Sequence, residues 1–328
     1  MSLRLFYSFI AVLMMCLCAF CQEVEGPRPI EDVYKILLDH NIAFDLNKTR
    51  RATVEGLIKA VDSGAMLLTA EQFHAMMIRT SVEKVEEWPE DICYLKVRGI
   101  FRDAGDEIIE HLKKWNDSGK AGVIMDLRGS GGESLPSVDR IAALYVSDDP
   151  LLYLLKDGRG EIIQTHRLSV DNETLDGNIP LLLLVDKATT AASELLVAIL
   201  KNRKGVLVIG VSTSGDISYR ENVPLSQDEI LHIVTRRVYV NGVQYEGVGV
   251  LPDVAVNSDG VDGKRKLPPK VISIKPESAK AKSDRDLMEK VFPDPVLLRA
   301  TDILLAMKAT VTYGKKTTVD TPSPTGIH

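Results

Sequence analysis

The front of the chain has apolar residues at helical spacing. They recur every three or four positions through Ile30–Leu38 and again through Val54–Val61, a period that predicts amphipathic helices. Thr69 is followed three residues later by Gln72, the spacing of a capping box that would open a third helix. We therefore expect Pro27–Ala75 to be helical.

The pattern then changes to short apolar runs that alternate with helical segments. The acidic stretch Glu83–Glu90 between the two regions predicts a linker. The predicted strands are Ile92–Val97, Ala121–Leu127, Ile179–Val185 and Gly205–Gly210. The predicted helices are Asp106–Trp115, Ser137–Val146, Ala191–Leu200 and Pro293–Thr310. Strands that alternate with helices predict a layered α/β core.

Turn residues between alternating segments predict two hairpins. They are Leu151–Leu155 with Glu161–Arg167 around Asp157-Gly158, and Ile230–Val240 with Val243–Glu246 around Asn241-Gly242. Lys, Pro, Ser and Gly dominate Asn257–Asp284, which predicts an exposed connector. The Thr- and Pro-rich end, Tyr313–His328, predicts a frayed tail.

The first residues have the pattern of an export signal. Arg4 precedes the apolar run Leu5–Phe20, and Ala19-Phe20-Cys21 resembles a cleavage site. An uncleaved anchor is the alternative, although the run is short for a membrane span. The predicted organisation is a signal peptide at 1–21, an N-terminal helical subdomain and linker at 22–90, a core at 91–256, and a connector, helix and tail at 257–328.

Composition narrows the classes of partner. The apolar fraction is 45% and the formal net charge is −6, and no basic stripe is present, which argues against nucleic acid. The 6 His are scattered and no Cys-x-x-Cys pair occurs, so no metal site is predicted. No cofactor is predicted either. Contact with a membrane is expected only through an uncleaved signal segment.

The sequence of Gly122–Gly132 predicts a buried strand that is followed by a glycine-rich turn. Glycines let a backbone approach a ligand and turn its N–H groups inward. Such N–H groups hold phosphates or the oxyanion of a reacting carbonyl. No Gly-Lys-Ser/Thr follows, which argues against a phosphate loop. A plain turn between strand and helix is the alternative.

A second strand turns sharply into a helix at PLLLLVDKATTAASELLVAIL, residues 180–200. Hydrolases place nucleophiles at turns of this kind, where the helix N-terminus favours developing negative charge. Thr189, Thr190 and Ser193 are candidate nucleophiles there. The alternative is that they cap the helix, as Thr and Ser routinely do.

Four motifs in order resemble the C-terminal processing (tail-specific) serine peptidases. The family's DLRxNPGG, SASE, GxxTFGKG and GVGIxPD correspond to residues 126–132, 191–194, 210–217 and 247–253. The resemblance covers about Thr53 to Val256. It implies an α/β fold, namely a layered ClpP/crotonase-like peptidase core with an N-terminal helical subdomain.

Two positions depart from the family at the reacting groups. The resemblance puts the nucleophile on Ala191 and the base, normally Lys, on Asp216, and their separation matches the family without a gap. The oxyanion donors would be the backbone N–H of Ala192 and one from Gly131-Gly132. The family's PDZ domain has no room in the chain before the core.

These observations favour an exported, catalytically inactive relative that binds a peptide or protein segment in extended form. Small apolar ligands are an alternative. The rival hypothesis is an active serine- or threonine-type endopeptidase that uses Thr190 or Ser193 with Asp216. A third is a structural envelope protein whose segment Asn257–His328 docks a partner.

Overall fold

The computed structural model describes residues 30–77, 79–146, 151–168, 174–175, 179–257 and 278–317. The predicted signal at 1–21 lies outside these ranges, as do residues 258–277 of the predicted connector. No helix within the ranges is long and apolar enough to cross a membrane. The chain divides into two compact units, Met1–Leu57 and Ile58–His328.

The described part of the first unit is helical, as predicted. Helix α1 spans Ile30–Asp39, and α2 spans Leu46–Val61 across the boundary between the units. The ring of Tyr34 contacts that of Phe44, with centroids 6.1 Å apart. No residue of α1 is buried, so this helix keeps an exposed apolar stripe.

The second unit contains both strands and helices. Its helices after α2 are α3 Ala70–Met77, α4 Ala104–Asp117, α5 Leu135–Ala143, α6 Ala191–Leu200, α7 Ala279–Val291 and α8 Pro295–Thr317. Its first strands are β1 Met66–Thr69, β2 Val82–Trp88, β3 Ile92–Val97, β4 Gly99–Ile100, β5 Gly122–Asp126, β6 Gly131–Gly132 and β7 Leu151–Lys156. The later strands are β8 Ile162–Arg167, β9 Leu181–Val185, β10 Val206–Gly210, β11 Ser218–Pro224, β12 Glu229–Val240, β13 Val243–Gln244 and β14 Val254–Ala255.

A six-stranded sheet in the order β14-β10-β9-β5-β3-β2 forms the core. All its pairs are parallel except β2 with β3. Its inner strands β10, β9, β5 and β3 are largely apolar on both faces because helices cover both. In β9, Leu181 and Leu183 pack with α4, α5 and α6 on one face, and Leu182 and Leu184 pack with α7 and α8 on the other. The predicted layered α/β core is confirmed.

A second, antiparallel sheet is built around the long strand β12, which pairs with β1, β7, β11 and β13. Both predicted hairpins are confirmed, β7 with β8 and β12 with β13. At the second turn Asn241 and Gly242 both have positive φ, 51° and 78°, as a two-residue hairpin turn requires.

The structure corrects the sequence analysis at several segments, one of which is residues 313–317, where helix α8 continues into the predicted frayed tail. Residues 66–69 form strand β1 inside the region predicted to be helical, although the Thr69–Gln72 capping box is confirmed in both directions at 2.9 and 3.1 Å. The predicted linker contains β2, because acidic side chains are tolerated on an edge strand. Strand β11 was not predicted. Helix α7 begins at Ala279, within the predicted connector.

Candidate functional site

An open cleft lies beside the start of α6, where β6, β11 and β12 meet. It holds ≈ 430 Å³ of space between atoms, some of it open solvent. Its floor, which we call the apolar floor, consists of Leu135, Ala192, Leu195, Ile217 and Val238. Polar and charged side chains around that floor are Glu133, Tyr219, Arg220 and His232. Ala191 also lines the cleft, so the predicted nucleophile position faces it.

The turn from β9 into α6 has an unusual backbone at Ala191. This residue has φ +51°, a left-handed conformation that costs a non-glycine residue about 1–2 kcal/mol. The preceding Thr190 is extended, with φ −144° and ψ 169°. The Ala191 N–H donates to the carbonyl of Asp216 at 3.0 Å. Strain at a strand–helix turn is typical of a nucleophile elbow, here with a methyl group at its tip.

The hydroxyl groups near this turn have different environments. Thr189 is buried and donates to the carbonyl of Leu127 at 2.8 Å. Ser193 is also buried, and its hydroxyl donates to the Gly131 carbonyl at 2.6 Å. Thr190 is half-buried and donates to the Asp216 carboxylate over 3.5 Å. Of the three candidates, Thr190 is therefore the one that contacts the predicted base.

The carboxylate of Asp216 is paired with a guanidinium. Its Oδ1 accepts a hydrogen bond from Arg220 Nη2 at 2.9 Å. The same guanidinium forms two bonds with Asp62, at 3.1 and 3.3 Å. Burial alone would raise the pKa of Asp62, but the hydrogen bonds from Arg220, Val234 and Gly64 outweigh burial and lower it. Three side chains from two distant parts of the sequence thus form one ionic chain beside Ala191.

Glu194 fixes the segment that carries Asp216. Its buried carboxylate accepts from the N–H groups of Gly215 and Asp216 at 2.7 and 2.9 Å, and from the Thr213 hydroxyl. Burial raises the pKa of Glu194, while these hydrogen bonds oppose the rise. The Thr213 hydroxyl also accepts from Val250 N–H at 2.6 Å. One side chain on α6 therefore ties two motifs of the sequence together.

A second ionic cluster supports the glycine turn from behind. Arg128 pairs with Asp126 through two bonds, at 2.9 and 2.7 Å, and with Asp294 at 2.7 Å. Lys96 reaches both Asp126 and the carbonyl of Arg128. Burial would raise the pKa of Asp126, but the bonds and charge of Arg128 outweigh burial and lower it. The turn is consequently held at the carboxyl end of β5.

The predicted oxyanion donors lie on both sides of the cleft opening. Ala192 is the second residue of α6, where a backbone N–H has no acceptor within its own helix. Gly131 and Gly132 pair in parallel with Gly99 and Ile100. Gly132 has φ +111°, and a Cβ there would lie 2.3 Å from the Ile100 carbonyl oxygen. Both Gly132 and Ala192 line the cleft, and their role as donors stays a prediction.

Two side chains of the cleft, Glu133 and His232, have pKa values shifted toward their neutral forms. Burial raises the pKa of Glu133, against the opposing charges of Arg79 and Arg102. Burial lowers the pKa of His232, and the charge of Arg220 lowers it further. His232 is therefore neutral at neutral pH. Within the described ranges no group of His, Cys, Asp and Glu has the arrangement to hold a metal ion.

Arg220, Asp62, Glu133 and His232 belong to this site, yet the sequence analysis did not single them out. No local pattern marks them, because Asp62 pairs with Arg220 across 158 positions. Glu133 directly follows the glycine turn in the sequence, and this adjacency was the one feature from which its place in the site could have been predicted. The predicted Ala191, Ala192, Asp216, Gly131 and Gly132 are brought together at one end of the parallel sheet.

A strained strand–turn–helix at Ala191 and a glycine turn at Gly131-Gly132 therefore lie side by side in an α/β core. The chain belongs to peptidase family S41, whose model matches residues 91–256, about half of the 328 residues. The resemblance noted in the sequence is thereby confirmed.

Curated relatives are C-terminal processing peptidases. The chloroplastic C-terminal processing peptidase of Tetradesmus obliquus is 32% identical over 142 residues, which cover 43% of this chain and 30% of that protein. The chloroplastic carboxyl-terminal-processing peptidase 2 of Arabidopsis thaliana is 28% identical over 165 residues, covering 49% of this chain and 31% of that one. The chain thus spans less than a third of either relative.

A solved structure supports the fold. A lipoprotein from Streptococcus agalactiae is 17% identical, with a TM-score of 0.53 over 70% of this chain and 85% of that chain. At this identity the likeness concerns the fold alone. It agrees with the layered ClpP/crotonase-like core that the sequence predicted.

Proposed function

We propose that this S41 family protein binds extended segments of peptides or proteins without cleaving them. The observation that carries the proposal is the methyl group of Ala191 at the tip of the strained turn. Covalent catalysis of acyl transfer needs an oxygen or sulfur nucleophile at that point. A hydrocarbon side chain has no lone pair with which to attack a carbonyl.

The neighbourhood of Asp216 supports the same proposal. A general base must be free to accept the proton of a nucleophile. The Asp216 carboxylate is already paired with Arg220 at 2.9 Å, so one of its oxygens is engaged. The base position thus carries an anion whose charge is used in a structural ion pair.

Features that favour peptide binding do not depend on the missing nucleophile. Backbone N–H groups at Ala192 and at the Gly131-Gly132 turn are independent of side-chain identity, so they are suited to hold a peptide carbonyl. The apolar floor is suited to an aliphatic side chain. The S41 relatives are peptidases, and their substrates are peptide chains.

The proposal extends to export and domain organisation. Arg4 and the apolar run Leu5–Phe20 have the composition of an export signal, which supports action outside the cytoplasm. The binding core would be residues 91–256, with residues 22–90 before it and the connector and helix of 257–328 after it.

Restoring both reactive groups should restore cleavage. We expect the double variant Ala191→Ser, Asp216→Lys to hydrolyse unfolded casein at least about tenfold faster than the wild type, because the elbow and its donors are retained. Arg220, left beside the new lysine, should lower its pKa and favour the neutral amine. The readout is the release of fluorescent fragments from labelled casein.

The two single variants are the matched controls. Ala191→Ser alone has no lysine, and Asp216→Lys alone has no nucleophile, so both should match the wild type. Turnover by the wild-type protein would contradict the proposed inactivity. A folded double variant without turnover would contradict the assignment of these two positions.

A second candidate function rests on Thr190. Its hydroxyl donates to the Asp216 carboxylate at 3.5 Å, which is a longer contact than a well-formed nucleophile–base pair. A threonine-type endopeptidase would form a covalent adduct at this residue when treated with a fluorophosphonate. Ser193 is a weaker alternative, because its hydroxyl is buried against Gly131. We expect no adduct by mass spectrometry, and an adduct at Thr190 lost in Thr190→Val would establish the enzyme.

A further inference from the structure

His232 has a fixed orientation at the wall of the cleft. It lies on β12 between Met66 of β1 and Asn222 of β11, which are its direct neighbours on the two flanking strands. Its Nδ1 forms a hydrogen bond with Asn222 Oδ1 at 2.8 Å. The residue lines the cleft and is 8% exposed. Because the sheet already holds the imidazole, a ligand does not have to order it on binding.

The bond to Asn222 determines which ring nitrogen carries the proton. The side-chain oxygen of Asn222 can only accept a hydrogen bond, so Nδ1 of the neutral ring is the donor and Nε2 keeps its lone pair. Within the described part of the chain, no group forms a hydrogen bond with Nε2. The wall of the cleft thus contains a hydrogen-bond acceptor that the fold does not use.

We infer that His232 holds the bound peptide by accepting a hydrogen bond at Nε2 from a backbone N–H or a side-chain hydroxyl of that peptide. This inference rests on the proposed peptide-binding function. The N–H groups of Ala192 and of the Gly131-Gly132 turn are donors, and they match a peptide carbonyl. An extended peptide has both carbonyl and N–H groups along each edge, so a cleft with donors alone would leave a desolvated N–H of the ligand unpaired, at a cost. The imidazole supplies the missing acceptor.

The protonation state of His232 provides a readout specific to this contact. A proton on Nε2 converts the acceptor into a donor, so the contact is lost as the pH falls through the pKa of His232. Burial and the charge of Arg220 hold that pKa below its ordinary value of about 6.5. The contact should therefore be complete at neutral pH.

Other charged groups are near the ring, and the test has to be independent of them. Asp62 and Asp216 favour the protonated ring and so oppose the effect of Arg220. Glu133 and Tyr219 also line the cleft. Met66 and Asn222, the neighbours on the flanking strands, are uncharged. Because all these groups act on every ligand, the ratio of two affinities isolates the hydrogen bond.

The test measures the fluorescence polarisation of labelled hexapeptides of alternating alanine and valine. In one series a single valine is replaced by threonine, which has a hydroxyl in place of one methyl group. In the other series a single backbone nitrogen is methylated, which removes its N–H. At neutral pH we expect a threonine peptide to bind about fivefold more tightly than the parent, or an N-methylated peptide to bind about fivefold more weakly. The first result assigns the donor to a side chain and the second assigns it to the backbone.

Two variants show whether His232 is responsible. His232→Phe keeps an aromatic ring without an acceptor, so the fivefold ratio should fall to about one in a double-mutant cycle. Asn222→Asp still accepts from Nδ1, but its negative charge favours the protonated ring. In that variant the ratio should be lost at a pH about one unit or more above the wild-type value. A residue that only stabilised the fold would change all affinities alike and would not move this pH.

The outcomes separate this inference from the function on which it rests. Peptides that bind wild type and His232→Phe with the same ratios would overturn the role of His232 and leave peptide binding intact. Failure of every peptide to bind would overturn both. If His232→Phe does not fold, the pH profiles decide, since a ratio that is independent of pH in both wild type and Asn222→Asp would overturn the contact at Nε2.

Discussion

Replacing Gly132 by alanine should destabilise the protein by about 3–5 kcal/mol and abolish peptide binding. Two independent costs combine at this position. The backbone has φ +111°, which L side chains rarely adopt, and the new Cβ would lie 2.3–2.6 Å from backbone atoms of Ile100. Since β4 and β6 pair through Gly99, Ile100, Gly131 and Gly132, relief of the clash would break that pairing. Urea denaturation measures the loss of stability, and the fluorescence polarisation of a labelled peptide measures the loss of binding.

Other glycines provide matched controls for the two costs. Gly129 has φ +68° but nothing within 4 Å of a Cβ, and Gly158 has open space without a positive φ. Gly129→Ala should therefore cost about 1–2 kcal/mol, and Gly158→Ala close to nothing. If Gly132→Ala were no worse than Gly129→Ala, the close approach of the glycine turn to Ile100 would be wrong.

The parts of the fold that could be predicted from sequence are those determined by a short run of consecutive residues. The strands β3, β5, β9 and β10 are buried on both faces, so each appears as a short apolar run. Hairpin turns such as Asn241-Gly242 carry their conformation in two residues. The order of motifs placed the glycine turn and the α6 turn together, since both follow parallel neighbouring strands.

Strands β1 and β2 were not predicted, because their own short sequences do not have the pattern of a strand. Strand β2 has Glu83, Lys84, Glu86 and Glu87 in seven residues, and its place at the edge of the sheet makes that composition acceptable. Strand β1 has four residues between two helices, too short for a period to be read. Strand β1 is stabilised by pairing with β12, which is distant in sequence and is not visible in a local pattern.

The residues of the cleft were predicted only where a local motif contains them. Ala191 and Asp216 follow from their motifs. The partner that neutralises Asp216 is an arginine on β11, a strand that the pattern did not indicate, and the arginine's own anchor is Asp62 at the end of α2. Asp62 and Arg220 come together only when β12 pairs with both β1 and β11.

Replacing Glu194 by alanine should cost about 3 kcal/mol and loosen the segment that carries Asp216. The change leaves two backbone N–H groups and the Thr213 hydroxyl without their acceptor in a buried site, and unsatisfied buried donors are expensive. Glu194→Gln should cost less, about 1–2 kcal/mol, because one oxygen remains but its amide nitrogen faces a backbone N–H.

The same residue gives a pH dependence with a defined sign. Burial raises the pKa of Glu194 in the folded state above its unfolded value, which is about 4.3. The folded protein then holds the proton more tightly than the unfolded chain does, so this contribution to stability is complete below that value. It is lost as the pH rises through the folded pKa. The advantage of wild type over Glu194→Gln should accordingly be largest in acid and shrink toward neutral pH.

The difference in unfolding free energy between the wild type and Glu194→Gln isolates the contribution of Glu194 from that of other titratable groups. Asp62 and Asp126 have lowered pKa values and lose their stabilising contributions as pH falls, but they act equally in both proteins. Glu107→Gln on the exposed face of α4 serves as the control and should run parallel to the wild type. Urea unfolding between about pH 4 and 8, a range that brackets the pKa of an ordinary glutamate and neutral pH, measures the effect. A wild-type advantage that grows with pH would mean that the Glu194 site stabilises the carboxylate rather than the acid.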